Sequence, residues 1–298
     1  MEKKSFIEKY ARILVIVAVF CGGASGPLAA KITASALVIG LGRLTVALPF
    51  FAVPVLKNRE QREAMLKLPG KTLLLCGLTG VFLFLHFFCW FTSVKYANVS
   101  AAAVLAAFHP LVVLAITVFI YKKKVPGKAI AAIVIALAAG TYMTCSDLSA
   151  FTDGRAVGYI LAFLSGVFMG IYFAIGKKAR QGVEGKTYVF LVFLSCWICF
   201  VIAVIVTGTP VLGYPATDYL FIVLLAFICQ IGSHAVWNLC LGMVEPLYVS
   251  AWESMDPVVS TILAFVLIGQ VPTVTEVVCC IIVVAALIMY SRYESEQE

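Results

Sequence analysis

The chain has 298 residues, of which 62% are hydrophobic and 12% charged, and its mean hydropathy is +1.04. A soluble domain is about half apolar and a quarter charged, so the composition excludes an ordinary soluble fold. The net charge of +7 sits in joints between apolar runs, which assigns the basic residues to topology and anionic lipid headgroups and excludes nucleic acid as a partner.

The apolar runs fall at 13–30, 34–56, 72–94, 99–121, 128–146, 157–176, 187–207, 218–240, 246–268 and 274–291. At about 1.5 Å per residue each is long enough to cross a hydrocarbon core. Open strands cannot span lipid, so the expected fold is all-α, with ten transmembrane helices. Lys3, Lys4, Lys9 and Arg12 precede the first run and the small-residue stretch GGASGPLAA ends it, a pattern shared with cleaved signal peptides. The run has no polar mature start behind it and has a counterpart later in the chain, which favours a retained helix.

Polar residues inside the runs are few, and each is a functional candidate because leaving it in lipid costs about 2.5–3.5 kcal/mol. The second run holds Arg43, about nine residues from its outer end and so roughly 14 Å deep. The third holds His86 and Trp90 at i, i+4, and the fourth holds His109 followed by Pro110. On the eighth, Gln230, His234 and Asn238 form a stripe at i, i+4, i+8, which either faces a cavity or hydrogen-bonds neighbouring helices. By depth, His86 falls nearer the outside and His234 nearer the inside. Arg43, His109 and the acids of the ninth run share the midplane.

The ninth run contains SAWESMDPVVS (250–260), with Glu253, Asp256 and Pro257. Pro257 removes a backbone donor and clashes with the carbonyl of Glu253, four residues earlier. The two acids, at i and i+3, lie on nearly the same face of that broken turn. Carboxyls this close in a poorly solvated place titrate in coupled steps, which suits a proton or a cationic group. Arg43 either pairs with one acid or receives a carboxylate or phosphate of the substrate through its planar fork of donors. Trp90, Trp252 and Tyr248 are candidates for apolar walls or cation–π faces. Pro110 and Pro257 are candidate helix kinks, read either as packing devices alone or as part of the site.

Ten cysteines fall mostly within apolar runs, and Cys196-Trp-Ile-Cys199 lies in mid-helix. They read as small buried hydrophobes. No group of His, Cys, Asp and Glu has metal-ligand spacing, so neither a metal nor a cofactor is implied.

With the N-terminus inside, eighteen Lys and Arg fall in inner joints, at 3–12, 57–71, 122–128, 177–186 and 292. Only Lys31, Lys95 and Arg155 fall outside. That asymmetry places both termini in the cytoplasm.

Shifting the chain by 147 residues brings Gly23 onto Gly170, Lys31 onto Lys178, Trp90 onto Trp237 and Pro110 onto Pro257 without a gap. Residues 1–147 and 148–298 are therefore expected to be two repeats of five helices. Five is odd, so the repeats enter the membrane in opposite directions, the inverted plan of secondary transporters with a site between the halves. The acids break the repeat: Glu253 falls on Ala106 and Asp256 on His109.

These features carry a family resemblance. Cys21-Gly-Gly23 and Ser165-Gly166 begin the halves, Arg43 lies in the second helix, and VSAAAVLAAFHPLVVLAI (99–116) pairs with YVSAWESMDPVVSTILAF (248–265). With the 5+5 architecture, nearly the whole chain resembles the drug/metabolite transporter superfamily, of the EamA type. Members often carry an acid in a turn after helices 4 and 9. Here those places read Tyr121-Lys-Lys-Lys124 and Ile268-Gly-Gln270. The resemblance implies movement of small metabolites, often amino acids, without ATP. No GxxxxGK[ST] phosphate loop is present in the sequence.

The expectation is a secondary transporter of the plasma (inner) membrane, exporting amino-acid-like, cationic or zwitterionic solutes by alternating access. Its partners would be a small-molecule substrate, protons and membrane lipids. An enzyme acting on lipid-linked substrates and a receptor or accessory subunit are the alternatives. The joint 57–71 offers the first only basic residues with Glu60 and Glu63, and the second lacks an appended soluble domain.

Overall fold

A computed structural model of the chain describes residues 6–97, 99–145, 156–269 and 271–295. The expected boundary between halves at 147/148 lies outside these residues, as do Lys3, Lys4, Arg155 and Gln270. Every regular element among the described residues is helical.

Among the described residues, eight helices are long and apolar enough to span a membrane. They are α1 (Lys9–Ala30), α2 (Ala36–Lys57), α3 (Gly70–Tyr96), α4 (Ala102–Ile120), α6 (Ala156–Ala179), α7 (Gly185–Thr207), α8 (Ala216–Cys240) and α9 (Pro246–Ile268). Two more helices, α5 (Gly127–Cys145) and α10 (Val274–Ser295), pack against each other, and their apolar stretches Gly127–Ala139 and Val277–Tyr290 are shorter. The protein is thus a multi-pass integral membrane protein, and its apolar runs became helices near their expected limits.

Local chemistry sets the ends. Ser35 accepts from Val38 N at 3.4 Å to start α2, and Glu184 accepts from Thr187 N at 2.9 Å to start α7. Gly208 and Gly269 close α7 and α9 in the left-handed region, at φ 64° and 74°. Within the spans, Thr45, Thr79, Thr92 and Thr141 donate to carbonyls four residues back, so their hydroxyls are satisfied without water.

Three spans are broken in mid-course. α1 turns at Gly23–Ala24, α4 at Ala107–Phe108 and α9 at Ser254–Met255. Pro110 and Pro257 sit in the first turn of the helical piece that follows each of the last two breaks, where a missing N–H costs nothing. The breaks tighten into three-residue hydrogen bonds, Phe108 N to Leu105 O at 3.4 Å and Met255 N to Trp252 O at 3.0 Å. α8 carries a further irregularity: Leu225–Ala235 is a π-helix, which widens the turn carrying Gln230 and His234.

Packing repeats across the two halves. A Cβ at Gly23 would lie 2.5 Å from Val259 Cβ and 3.5 Å from the Asp256 carbonyl. A Cβ at Gly170 would lie 2.6 Å from Val112 Cβ and 2.9 Å from the His109 carbonyl. Each of these residues is 147 positions from its counterpart. So α1 approaches α9 as α6 approaches α4, and only glycine permits either approach.

The two ends of the bundle are tied. At one end Asp218 Oδ2, at the start of α8, accepts from Thr33 N (2.9 Å), Thr33 Oγ1 (2.7 Å) and Ala34 N (2.8 Å). Lys95 Nζ donates to the Ile32 carbonyl beside it at 2.7 Å. At the basic end Lys123 Nζ reaches both oxygens of Glu245 at 3.2 Å, and Lys177 Nζ donates to the Val244 carbonyl at 3.0 Å.

Candidate functional site

The breaks in α1, α4 and α9 surround a small cavity of about 30 Å³. Its wall is built from equivalent positions of the two halves: Phe87 and His234, Trp90 and Trp237, Ala106 and Glu253, His109 and Asp256. Each pair is separated by 147 residues, so the cavity lies where the halves meet. Gly22, Ser25, His86, Ala103 and Ala107 complete it.

The acids face this space from the two sides of the α9 break. Glu253 is buried, and its Oε2 lies 3.5 Å from His109 Nε2. The other nitrogen of His109 is held by Ser250 Oγ at 2.8 Å. Neither Glu253 Oε2 nor Asp256 Oδ1 has a hydrogen-bond partner among the described residues. Two carboxyl oxygens shut away from solvent without donors are costly to keep there in charged form.

The rest of the wall is aromatic. His86 Nδ1 lies 3.0 Å from the Ser165 carbonyl and 2.9 Å from the Ser165 hydroxyl, which ties the ring to α6. His86 and His234 stand 6.0 Å apart by ring centroids, and His234 meets Phe87 and Trp237 edge-on at 4.8 and 5.2 Å. Trp90 Nε1 donates to Ser25 Oγ at 3.1 Å, and Trp237 Nε1 to the Val15 carbonyl at 3.3 Å. The indole faces are thereby fixed against α1.

The EamA-like transporter family model matches this chain twice, over residues 9–145 and 156–292. The chain belongs to the EamA-like transporter family. The second match begins and ends 147 residues after the first, the same spacing that pairs the cavity residues. A protein of Clostridium kluyveri described as an uncharacterized transporter is 24% identical over 248 residues, covering 78% of this chain and 77% of its own. A protein of known crystal structure superposes with a TM-score of 0.72 at 17% identity, covering 97% of this chain and 99% of its own. That likeness is one of fold alone. The family and the relative point to a membrane transporter of small molecules rather than an enzyme.

Within the transporter, Glu253, Asp256, His109, Trp90 and His234 line the cavity, while other expected site residues do not. Arg43 forms no ion pair with either acid among the described residues. Its guanidinium is fully buried, stands 4.3 Å over the Phe87 ring and 5.4 Å from Phe91, and finds no hydrogen-bond acceptor. Phe87, which lines the cavity, also contacts His234. Arg43 is therefore one aromatic layer behind the wall. Tyr248 covers Arg12, and its hydroxyl reaches the Arg12 carbonyl at 3.5 Å. Trp252 packs beside Tyr248, and Asn238 donates to the His234 carbonyl at 2.9 Å. These three support the site's surroundings rather than its wall.

Depth reasoning separated His86 from His234, and the structure brings them together. α3 has 27 residues, about 40 Å of helix, which exceeds the hydrocarbon core. Its midpoint falls at Leu83, so His86 stands only about 5 Å from mid-helix. Trp237 and Phe87 were missed, although the repeat offset pairs them with Trp90 and His234. Among the described residues, no group of three or more His, Cys, Asp or Glu is placed to hold a metal ion.

Proposed function

We propose that this EamA-like transporter is a secondary exporter of small amine-bearing solutes, coupled to protons, working by alternating access. The observation that carries the reading is the pair of acids at the α9 break. Glu253 is buried with His109 Nε2 at 3.5 Å, Asp256 Oδ1 is shielded without a donor among the described residues, and both line a cavity whose other residues bring no formal positive charge unless a histidine is protonated. A proton or an ammonium group satisfies them, and the indoles of Trp90 and Trp237 supply faces for a cation.

The zwitterionic case uses Arg43. A fully buried guanidinium without an acceptor is a donor fork without an anion. Rotation of Phe87 off Arg43 exposes the guanidinium to the cavity, so that an amine meets the acids while a carboxylate meets the arginine. A cavity of about 30 Å³ holds water but no metabolite, against the several hundred Å³ of ordinary ligand sites. The structure thus corresponds to a closed state, with opening supplied by motion of one half against the other.

The full topology belongs to this reading. Residues 1–147 and 148–298 form two inverted five-helix repeats, giving ten spans with α5 and α10 included. Both termini are cytoplasmic, because inner joints carry eighteen Lys and Arg against three outside. Residence in the plasma membrane and transport outward complete it.

The test is flux in proteoliposomes loaded with amino acids or organic amines, with and without an imposed pH gradient. Glu253→Gln and Asp256→Asn are each expected to cut uptake at least about tenfold and flatten its pH dependence. Full, pH-dependent transport by both variants would overturn the carboxyl site.

A further inference from the structure

A second cavity lies away from the acids, at the basic end of the bundle, where α6 stops and α7 begins. It holds about 410 Å³, within the range of small-ligand sites. Three cations line it, Lys177, Arg180 and Lys186, and Ile7, Leu239 and Met243 form an apolar lip. Glu184 also borders it, but one of its oxygens is occupied in starting α7, accepting from Thr187 N and Thr187 Oγ1 at 2.9 and 3.2 Å. The lining therefore carries a positive excess.

Arg180 is held in a fixed pose. Its Nη1 donates to the Val183 carbonyl, which anchors one edge of the guanidinium. The other edge, Nε with Nη2, is flanked by two glycines. A Cβ at Gly242 would stand 3.1 Å from Cζ and 3.3 Å from both Nε and Nη2, and one at Gly185 would stand 3.0 Å from Nη2. Any other residue at either place would crowd the guanidinium. Arg180 Nε is shielded from solvent and has no acceptor among the described residues. A guanidinium N–H left without an oxygen is a charged donor suited to a phosphate oxygen.

We propose that this cavity is a phosphate-binding site, with Arg180 as the fork and Lys177 and Lys186 as the flanking charges. The phosphate is that of an anionic lipid headgroup or of a soluble phosphate. The apolar lip at the level of the helix ends suits the first source, and the experiment separates the two. The site is independent of the acidic cavity and of what the protein carries.

The test uses the full chain purified in a neutral detergent, with its thermal unfolding followed in three additions at matched ionic strength. These are phosphatidylglycerol, phosphatidylcholine and inorganic phosphate. A ligand that binds only the folded state raises the unfolding temperature with concentration. Phosphatidylglycerol or inorganic phosphate is expected to do so and phosphatidylcholine is not. A response to inorganic phosphate alone assigns a soluble ligand, and a response to phosphatidylglycerol alone assigns the headgroup. Arg180→Gln should abolish the response. Lys186→Gln, at an exposed position that folding does not depend on, should weaken the apparent affinity about fivefold. Lys71→Gln, on the same basic end but outside the cavity, should leave it unchanged. The proposal is overturned if neither phosphate compound shifts unfolding. It is equally overturned if Lys186→Gln and Lys71→Gln behave alike, since the effect would then be general surface charge.

Discussion

The two glycines at the crossed helix contacts allow a quantitative test of how the halves fit. Gly170→Ala would place a methyl 2.6 Å from Val112 Cβ and 2.9 Å from the His109 carbonyl, where carbon atoms normally rest about 3.5–4.0 Å apart. Neither neighbour is the free end of a flexible side chain, so α6 must retreat from α4 by about 1 Å. Overpacking of this kind costs about 1–3 kcal/mol. Gly77→Ala in α3 is the control, because a Cβ there meets nothing within 4 Å. There the helix gains about 0.5–1 kcal/mol from the loss of glycine's freedom in the unfolded chain. Both positions are helical, so this gain is common to the two variants and their difference isolates the steric cost. Unfolding of detergent-purified protein should show Gly77→Ala at or above the parent temperature and Gly170→Ala below Gly77→Ala by the equivalent of 1–3 kcal/mol. Gly23→Ala, facing Val259 at 2.5 Å, should be destabilised similarly. Equal stability of Gly170→Ala and Gly77→Ala would refute the close approach of α6 to α4.

Other expectations follow from single contacts. Pro257→Ala removes the fixed backbone angle in the first turn after the α9 break, where the missing N–H costs nothing, so thermal stability should hold while transport falls; an unchanged rate would reduce the proline to a packing role. Asp218→Ala strands three donors that now share one oxygen, and should cost at least about 2 kcal/mol in a thermal or denaturant assay, whereas Asp218→Asn can keep an oxygen in that place and should cost less. Glu245→Gln removes an ion pair whose partners Lys123 and Glu245 are about half exposed, so stability should change by under about 1 kcal/mol. Phe87→Leu should shift the selectivity of uptake between zwitterionic and purely cationic solutes, read as a ratio of initial rates.

Much of the architecture was legible because lipid enforces it. A run of apolar residues in a membrane has helix as its open choice, so the runs at 34–56 and 218–240 became α2 and α8 with ends moved by a few residues. The offset of 147 was equally readable, since it rests on glycine, tryptophan and proline, residues whose geometry substitutes poorly. What the pattern did not reveal was lateral position. Arg43 has the right depth, but depth is one coordinate, and the ring of Phe87 stands between it and the acids. The π segment of α8 left no trace in composition, because widening a turn depends on what packs against it. Trp252 adjoins Glu253 in sequence and yet misses the wall, as neighbours on a helix point about 100° apart.

The ties at the two ends also have an electrical meaning. Asp218 holds the loop before α2 while Glu245 gathers Lys123 near the end of α4, and between them remains room for a water or two. Such a constriction opposes the passage of ions. A space of about 30 Å³ is too small for a continuous column of water at that level, so leakage of ions through the resting protein should be low.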